Sequence, residues 1–306
     1  MRRFVVFSSC TAAALLSTAL AAREPAAPTF ATELPFRSCE GLICIDVALD
    51  GAVPRTLMLD TRNANSTLIA DVAKQLGWTL QPAQRNGTAV RGIYVGGEHR
   101  AALGGVQAPT PFFIFDRELL GEYKPPVDGS IAYTWFKDRI LQIDYPRHML
   151  RISNVIATPV SDQPQGPGSL KLAFGESGPP VIVGSPFTVN GKRVTAQIDT
   201  VFTGTMLVYD SAAERLGLAK QGAPELFRYT DGGVNLLASS AQSLGFGSRV
   251  ILDGKPALYF AGDGKNPVHQ PDGLFDATVG NALFVNSVVT INLHDMTLNV
   301  EPAAAN

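Results

Sequence analysis

An Asp-Thr pair closing a short apolar run occurs twice in this 306-residue chain, and that repetition constrains the fold more than any other feature. The first copy is Thr56-Leu57-Met58-Leu59-Asp60-Thr61 and the second Val194-Thr195-Ala196-Gln197-Ile198-Asp199-Thr200. Each runs into a polar, turn-prone segment and then a helix-like run ending on Leu-Gly, at Leu76-Gly77 and Leu216-Gly217. Downstream, Asp128-Gly129-Ser130-Ile131-Ala132-Tyr133 is echoed by Asp276-Ala277-Thr278-Val279-Gly280-Asn281, at an offset of 148 (276 − 128). At the same offset Leu141-Gln142-Ile143-Asp144 meets Val289-Thr290-Ile291-Asn292, and Leu150-Arg151-Ile152 meets Leu298-Asn299-Val300. The Asp-Thr pairs are 139 apart (199 − 60), so the second copy has longer loops between its landmarks. Similarity of this extent implies one unit used twice.

The local patterns read as strands. Leu42–Leu49 and Thr56–Leu59 flank a turn at Asp50-Gly51, and further strands are predicted near 92–95, 111–115 and 140–143, punctuated by Gly96-Gly97 and Gly104-Gly105. Residues 68–76 have helical spacing, with Ser66 or Thr67 as the expected N-cap and Gly77 as the stop. Asn190-Gly191 between apolar runs signals a hairpin in the second unit. Short strands with one short helix per unit predict an all-β architecture in two lobes, spanning 34–156 and 170–302. A flexible lead-in over 22–33 and a Pro/Gly-rich linker over 157–169 complete the expected organisation.

Arg2 and Arg3, the apolar run Phe4–Leu20 and Ala19-Leu20-Ala21 read as a secretory signal peptide over 1–21, so the chain is expected to be exported, periplasmic or secreted. Later residues contain no predicted membrane span. Cys39 and Cys44 are then the only cysteines left after the leader, and an oxidising compartment favours a local disulfide between them. The four histidines lack paired spacing, so no metal site and no cofactor is expected. A net charge of −2 argues against a nucleic-acid partner held by phosphate contacts. Gly-x-Ser-x-Gly, phosphate-loop, Cys-x-x-Cys and His-Glu-x-x-His signatures are absent from the sequence.

The duplicated Asp-Thr strand ends, the glycine-rich segment and the run Asp128–Phe136 with Ile143-Asp144 resemble the retropepsin/pepsin-type aspartic proteases. The resemblance covers about 34 to 300. It implies a monomeric, two-lobed acid-protease fold and hydrolysis of a peptide or protein substrate by a dyad of Asp60 and Asp199. Two carboxylates in contact share one proton, so that one activates water while the other protonates the carbonyl oxygen. Thr61 and Thr200 would bond across the lobe interface. Tyr94, Gly96 and Gly97 would belong to a flap hairpin that closes on an extended substrate.

Arg62 and Val201 stand where the resemblance implies glycine, and Ala132 replaces another glycine that the second copy keeps as Gly280. An arginine beside the dyad favours ionised carboxylates and opposes proton sharing; it also makes Arg62 a candidate substrate contact. Two other readings stay open: an inactive descendant that binds ligands in the cleft, and a plain β-module in which each Asp-Thr merely caps a turn.

Overall fold

The structure is a computed structural model, which describes residues 29–120, 126–155, 168–175, 180–220, 222–229, 232–261 and 273–303. The expected signal peptide lies outside these residues, as does most of the expected linker. The described chain is mostly β, with three short helices and two 3₁₀ turns. No helix among the described residues is long and apolar enough to cross a membrane.

Both halves use one pairing scheme. In the first, the strand Arg55–Asp60 lies antiparallel to Leu42–Leu49 and parallel to Gly129–Ala132. Gly129–Ala132 pairs antiparallel with Ser66–Ile69, which runs parallel to Val106–Phe115. In the second, Lys192–Ile198 lies antiparallel to Val181–Val189 and parallel to Ala277–Val279. Ala277–Val279 pairs antiparallel with Met206–Val208, which runs parallel to Ala257–Ala261. Each half therefore ends its Asp-bearing strand in the interior. Leu57, Met58 and Leu59 are fully buried on both faces of the sheet, which is why the run is continuously apolar rather than alternating. Burial of each such side chain contributes about 1.5–3 kcal/mol.

The halves join through a shared sheet. Ile140–Asp144 pairs antiparallel with Ser287–Asn292, and Gln142 faces Thr290, its own counterpart in the repeat. The side chains of that pair are hydrogen-bonded at 3.0 Å. An antiparallel pair centred on equivalent residues has local twofold symmetry at that point.

Several boundaries differ from the sequence reading. Residues 30–33, read as flexible lead-in, belong to the edge strand Phe30–Pro35 paired with Met149–Ser153; main-chain pairing at an edge needs no apolar alternation. Gly168 and Ser169, read as linker, begin a strand. A Cβ on Gly168 would meet Phe246 Cζ at 2.2 Å, so this glycine serves packing rather than mobility. The first half holds a second, one-turn helix at Arg117–Leu120, too short to leave a 3.6-residue period. The helix Ala70–Gln75 is capped by Ile69 without a side-chain bond, because Ser66 and Thr67 belong to a strand. Gly77, at φ +76°, does follow its end.

Candidate active site

The two Asp-Thr loops meet at the seam between the halves. Thr61 N–H donates to Thr200 Oγ1 at 3.0 Å, and Thr200 N–H donates to Thr61 Oγ1 at 3.1 Å. The hydroxyls reach further: Thr61 Oγ1 donates to Ile198 O at 2.8 Å, and Thr200 Oγ1 donates to Leu59 O at 2.6 Å. Each threonine thus grips the peptide preceding the other half's aspartate. All of these groups are buried, so the amides and carbonyls would otherwise lack solvent partners.

Asp60 and Asp199 are 1% and 2% exposed. Their loops match bond for bond. Arg62 N–H and Asn63 N–H donate to Asp60 Oδ1 at 2.9 and 3.1 Å; Val201 N–H and Phe202 N–H donate to Asp199 Oδ1 at 2.9 and 3.1 Å. The side chains at Arg62 and Val201 do not prevent this, since neither residue takes a positive φ. The glycine implied by the resemblance is therefore not required for the amides to reach the carboxylates. Val201 is buried against Cys39, Leu42, Cys44, Met58 and Val127, across the seam from its own half.

The symmetry breaks one residue later. Asn63 Nδ2 donates to Asp60 Oδ2 at 2.7 Å, whereas the equivalent position is Phe202, whose ring has no polar donor. Burial raises the pKa of Asp60, opposed by the Asn63 side chain and amide and by the Arg62 charge. Burial pushes Asp199 up to about 6; the Arg62 charge opposes this and the Asp60 charge adds to it. The two carboxylates thus feel each other, and Arg62 feels both. Tyr209 also faces Arg62 and Asp199, its hydroxyl against Thr278 Oγ1 at 3.0 Å and its pKa raised by burial. Among the described residues no group of three His, Cys, Asp or Glu could hold a metal ion.

Tyr94, Gly96 and Gly97 lie on one arm of a hairpin rather than at its turn. They lie inside the single long strand Thr88–Leu103, which turns back at Asn86-Gly87 instead. Asn86 and Gly87 have φ of 52° and 78°, the left-handed pair that a two-residue hairpin turn demands. Gly96 and Gly97 make a bulge where the register with Val106–Phe115 shifts. A Cβ on Gly96 would sit 2.8 Å from Ile114 Cδ1, and Gly97 has φ +87°. His99 braces this bulge, one ring nitrogen 2.9 Å from Gly96 O and the other 2.7 Å from Asp50 Oδ2. Tyr94 packs partly buried on the core.

Sequence reasoning missed Asn63 and Asn281. Asn63 follows the motif without any repeat signal. Asn281 was visible as the counterpart of Tyr133, but a residue-type mismatch in a repeat suggests drift rather than a shared task. Comparison with protein-family models and with curated proteins returns no match to either. The chemistry of the seam therefore carries the functional reading.

Proposed function

We propose that the chain is an exported aspartic-type endopeptidase with the two-lobed retropepsin/pepsin-like architecture. Asp60 and Asp199, one from each half, form its dyad. The observation that carries this reading is the reciprocal exchange between Thr61 and Thr200, which fastens two matched, buried aspartate loops together at a local twofold axis. A turn-capping role for each Asp-Thr would need no such exchange.

The asymmetry suggests the roles. Asp60, whose carboxylate accepts three N–H donors, acts as base; Asp199, which accepts two and whose pKa burial raises to about 6, acts as acid. Asp60 takes a proton from water as the oxygen adds to the scissile carbonyl carbon. Asp199 gives its proton to the carbonyl oxygen, forming a tetrahedral diol. Collapse of the diol breaks the C–N bond: the proton held by Asp60 passes to the leaving nitrogen, and a diol hydroxyl returns a proton to Asp199 as the carboxyl product forms. The hairpin tipped by Asn86-Gly87 is the proposed flap over an extended peptide.

The alternative, binding without cleavage, draws on Arg62, whose charge opposes the rise that burial imposes on both carboxylate pKa values. A peptide library incubated with the purified protein from acid to neutral pH decides between them. Cleavage that falls about a thousandfold or more in Asp60→Asn and Asp199→Asn supports the protease. Peptide binding without cleavage in the wild type overturns it in favour of the binding protein.

A further inference from the structure

Asn281 joins four segments of the seam. Its Nδ2 donates to Thr200 O at 2.7 Å and to Gly41 O at 2.9 Å, and its Oδ1 accepts the Tyr145 hydroxyl at 3.0 Å. Its backbone N–H donates to Phe202 O at 3.0 Å. One buried amide thereby uses both side-chain protons and its carbonyl oxygen, and fixes the Thr200–Val201 peptide, one residue past Asp199.

Gly41 sits inside the loop closed by the Cys39–Cys44 disulfide. That loop presses on the Asp199 segment at further points. A Cβ on Gly41 would lie 3.1 Å from Thr203 Cβ, and Val201 is buried in the cluster that includes both cysteines. Residues 200, 201 and 203 thus lean on the disulfide loop or on the asparagine bonded to it.

The arrangement has a symmetric counterpart without a disulfide. Tyr133, equivalent to Asn281, donates its hydroxyl to Pro180 O at 2.7 Å. Pro180 is 139 residues (180 − 41) after Gly41, the same offset as the aspartates. The repeat therefore carries a latch on each side, from a residue just past the inner strand of one half to the residue before a strand of the other. The sequence places its post-leader cysteines only at the latch that holds the Asp199 loop.

We propose that Asn281 and the Cys39–Cys44 loop form a latch that positions the Asp199 loop, so that the state of the dyad depends on the disulfide. This rests on the dyad reading above. Asn281 is a positioning residue here; it acts through Thr200 and the loop that follows. Opening the disulfide frees the Gly41 carbonyl and the surface beneath Val201 and Thr203, and admits water to the Asp199 side of the seam. The charged and titratable groups facing Asp199 are Asp60, Arg62 and Tyr209; the latch contains none of them, so its effect on Asp199 is exerted by position and burial.

The test uses the full mature chain, oxidised or treated with dithiothreitol, which reduces the disulfide to two thiols and is itself oxidised to a cyclic disulfide. The carboxyl carbon of Asp199, assigned with Asp199→Asn, is titrated by NMR in both forms, in Cys39→Ser/Cys44→Ser and in the milder Tyr145→Phe. A proton lost at lower pH after reduction, with near-UV circular dichroism retained, is the expected result. Where the wild type cleaves peptides, kcat falls at least about tenfold with KM held within about threefold. An Asp199 titration indifferent to reduction and to all variants overturns the proposal. So does an effect that only tracks loss of folded protein. A wild type that cleaves no peptide removes the protease reading but leaves the NMR outcome decisive for the latch.

Discussion

Thr61 and Thr200 exchange backbone amides for hydroxyl oxygens across the seam, at 3.0 and 3.1 Å, while each hydroxyl donates to the carbonyl ahead of the other's aspartate. Thr61→Val and Thr200→Val keep the shape and remove the hydroxyl. Each leaves a buried amide and carbonyl unpaired, at a cost of about 1–3 kcal/mol. Because both changes break the same exchange, the double variant should lose less than the sum of the singles. Urea unfolding of the three proteins measures this; simple additivity would show that the two threonines act independently.

In the proposed mechanism Asn63 favours Asp60 as the anion. Asn63→Ala removes the amide 2.7 Å from Asp60 Oδ2, and losing a donor to a carboxylate raises its pKa. The acid limb of the kcat/KM profile should move to higher pH, while the alkaline limb, set by Asp199, stays nearly in place. A variant whose acid limb is unmoved would take Asp60 out of the role of base.

The symmetry of the site was legible because the repeat duplicates backbone positions, and Asp60/Asp199 and Thr61/Thr200 perform backbone-level tasks. What escaped depends on side chains whose types differ between the two copies, Asn63, Asn281 and Tyr133. Gly41 and Pro180 look like turn residues, and nothing local marks their carbonyls as targets of Asn281 and Tyr133. Asn86-Gly87 carries a local hairpin signal, and the chain turns there. Gly96-Gly97 is a bulge because Ile114 occupies the space where a side chain would sit, a long-range fact that glycine content alone does not convey.

Gly280 and Ala132 hold equivalent positions, yet they should tolerate substitution very differently. A Cβ on Gly280 would meet Phe202 O at 2.2 Å and Gly204 O at 2.5 Å, both in the Asp199 loop. Ala132 already carries that carbon, fully buried, with its N–H held by Ser66 Oγ at 3.0 Å. Gly280→Ala should therefore cost about 3 kcal/mol or more, at the upper end of overpacking penalties. Ala132→Gly should cost about 0.5–1 kcal/mol. Paired denaturation curves test the contrast, and equal costs would mean that the two loops pack alike.

Asp199→Asn should stabilise the fold at neutral pH. The folded pKa of about 6 lies above the ordinary 3.8, so the native state holds this proton more tightly than the unfolded chain does. The contribution of Asp199 to wild-type stability is then full below the ordinary value and is lost as pH rises through about 6, where the buried carboxylate ionises. The gap is worth on the order of 3 kcal/mol at about pH 7.5. The asparagine keeps an oxygen for the Val201 and Phe202 amides but never ionises, so it escapes that decline. Urea midpoints should favour the variant at about pH 7.5 and converge with the wild type at about pH 4. A variant that is less stable than wild type at neutral pH would mean that Asp199 is held as an anion, and the acid of the proposed dyad would have to be Asp60.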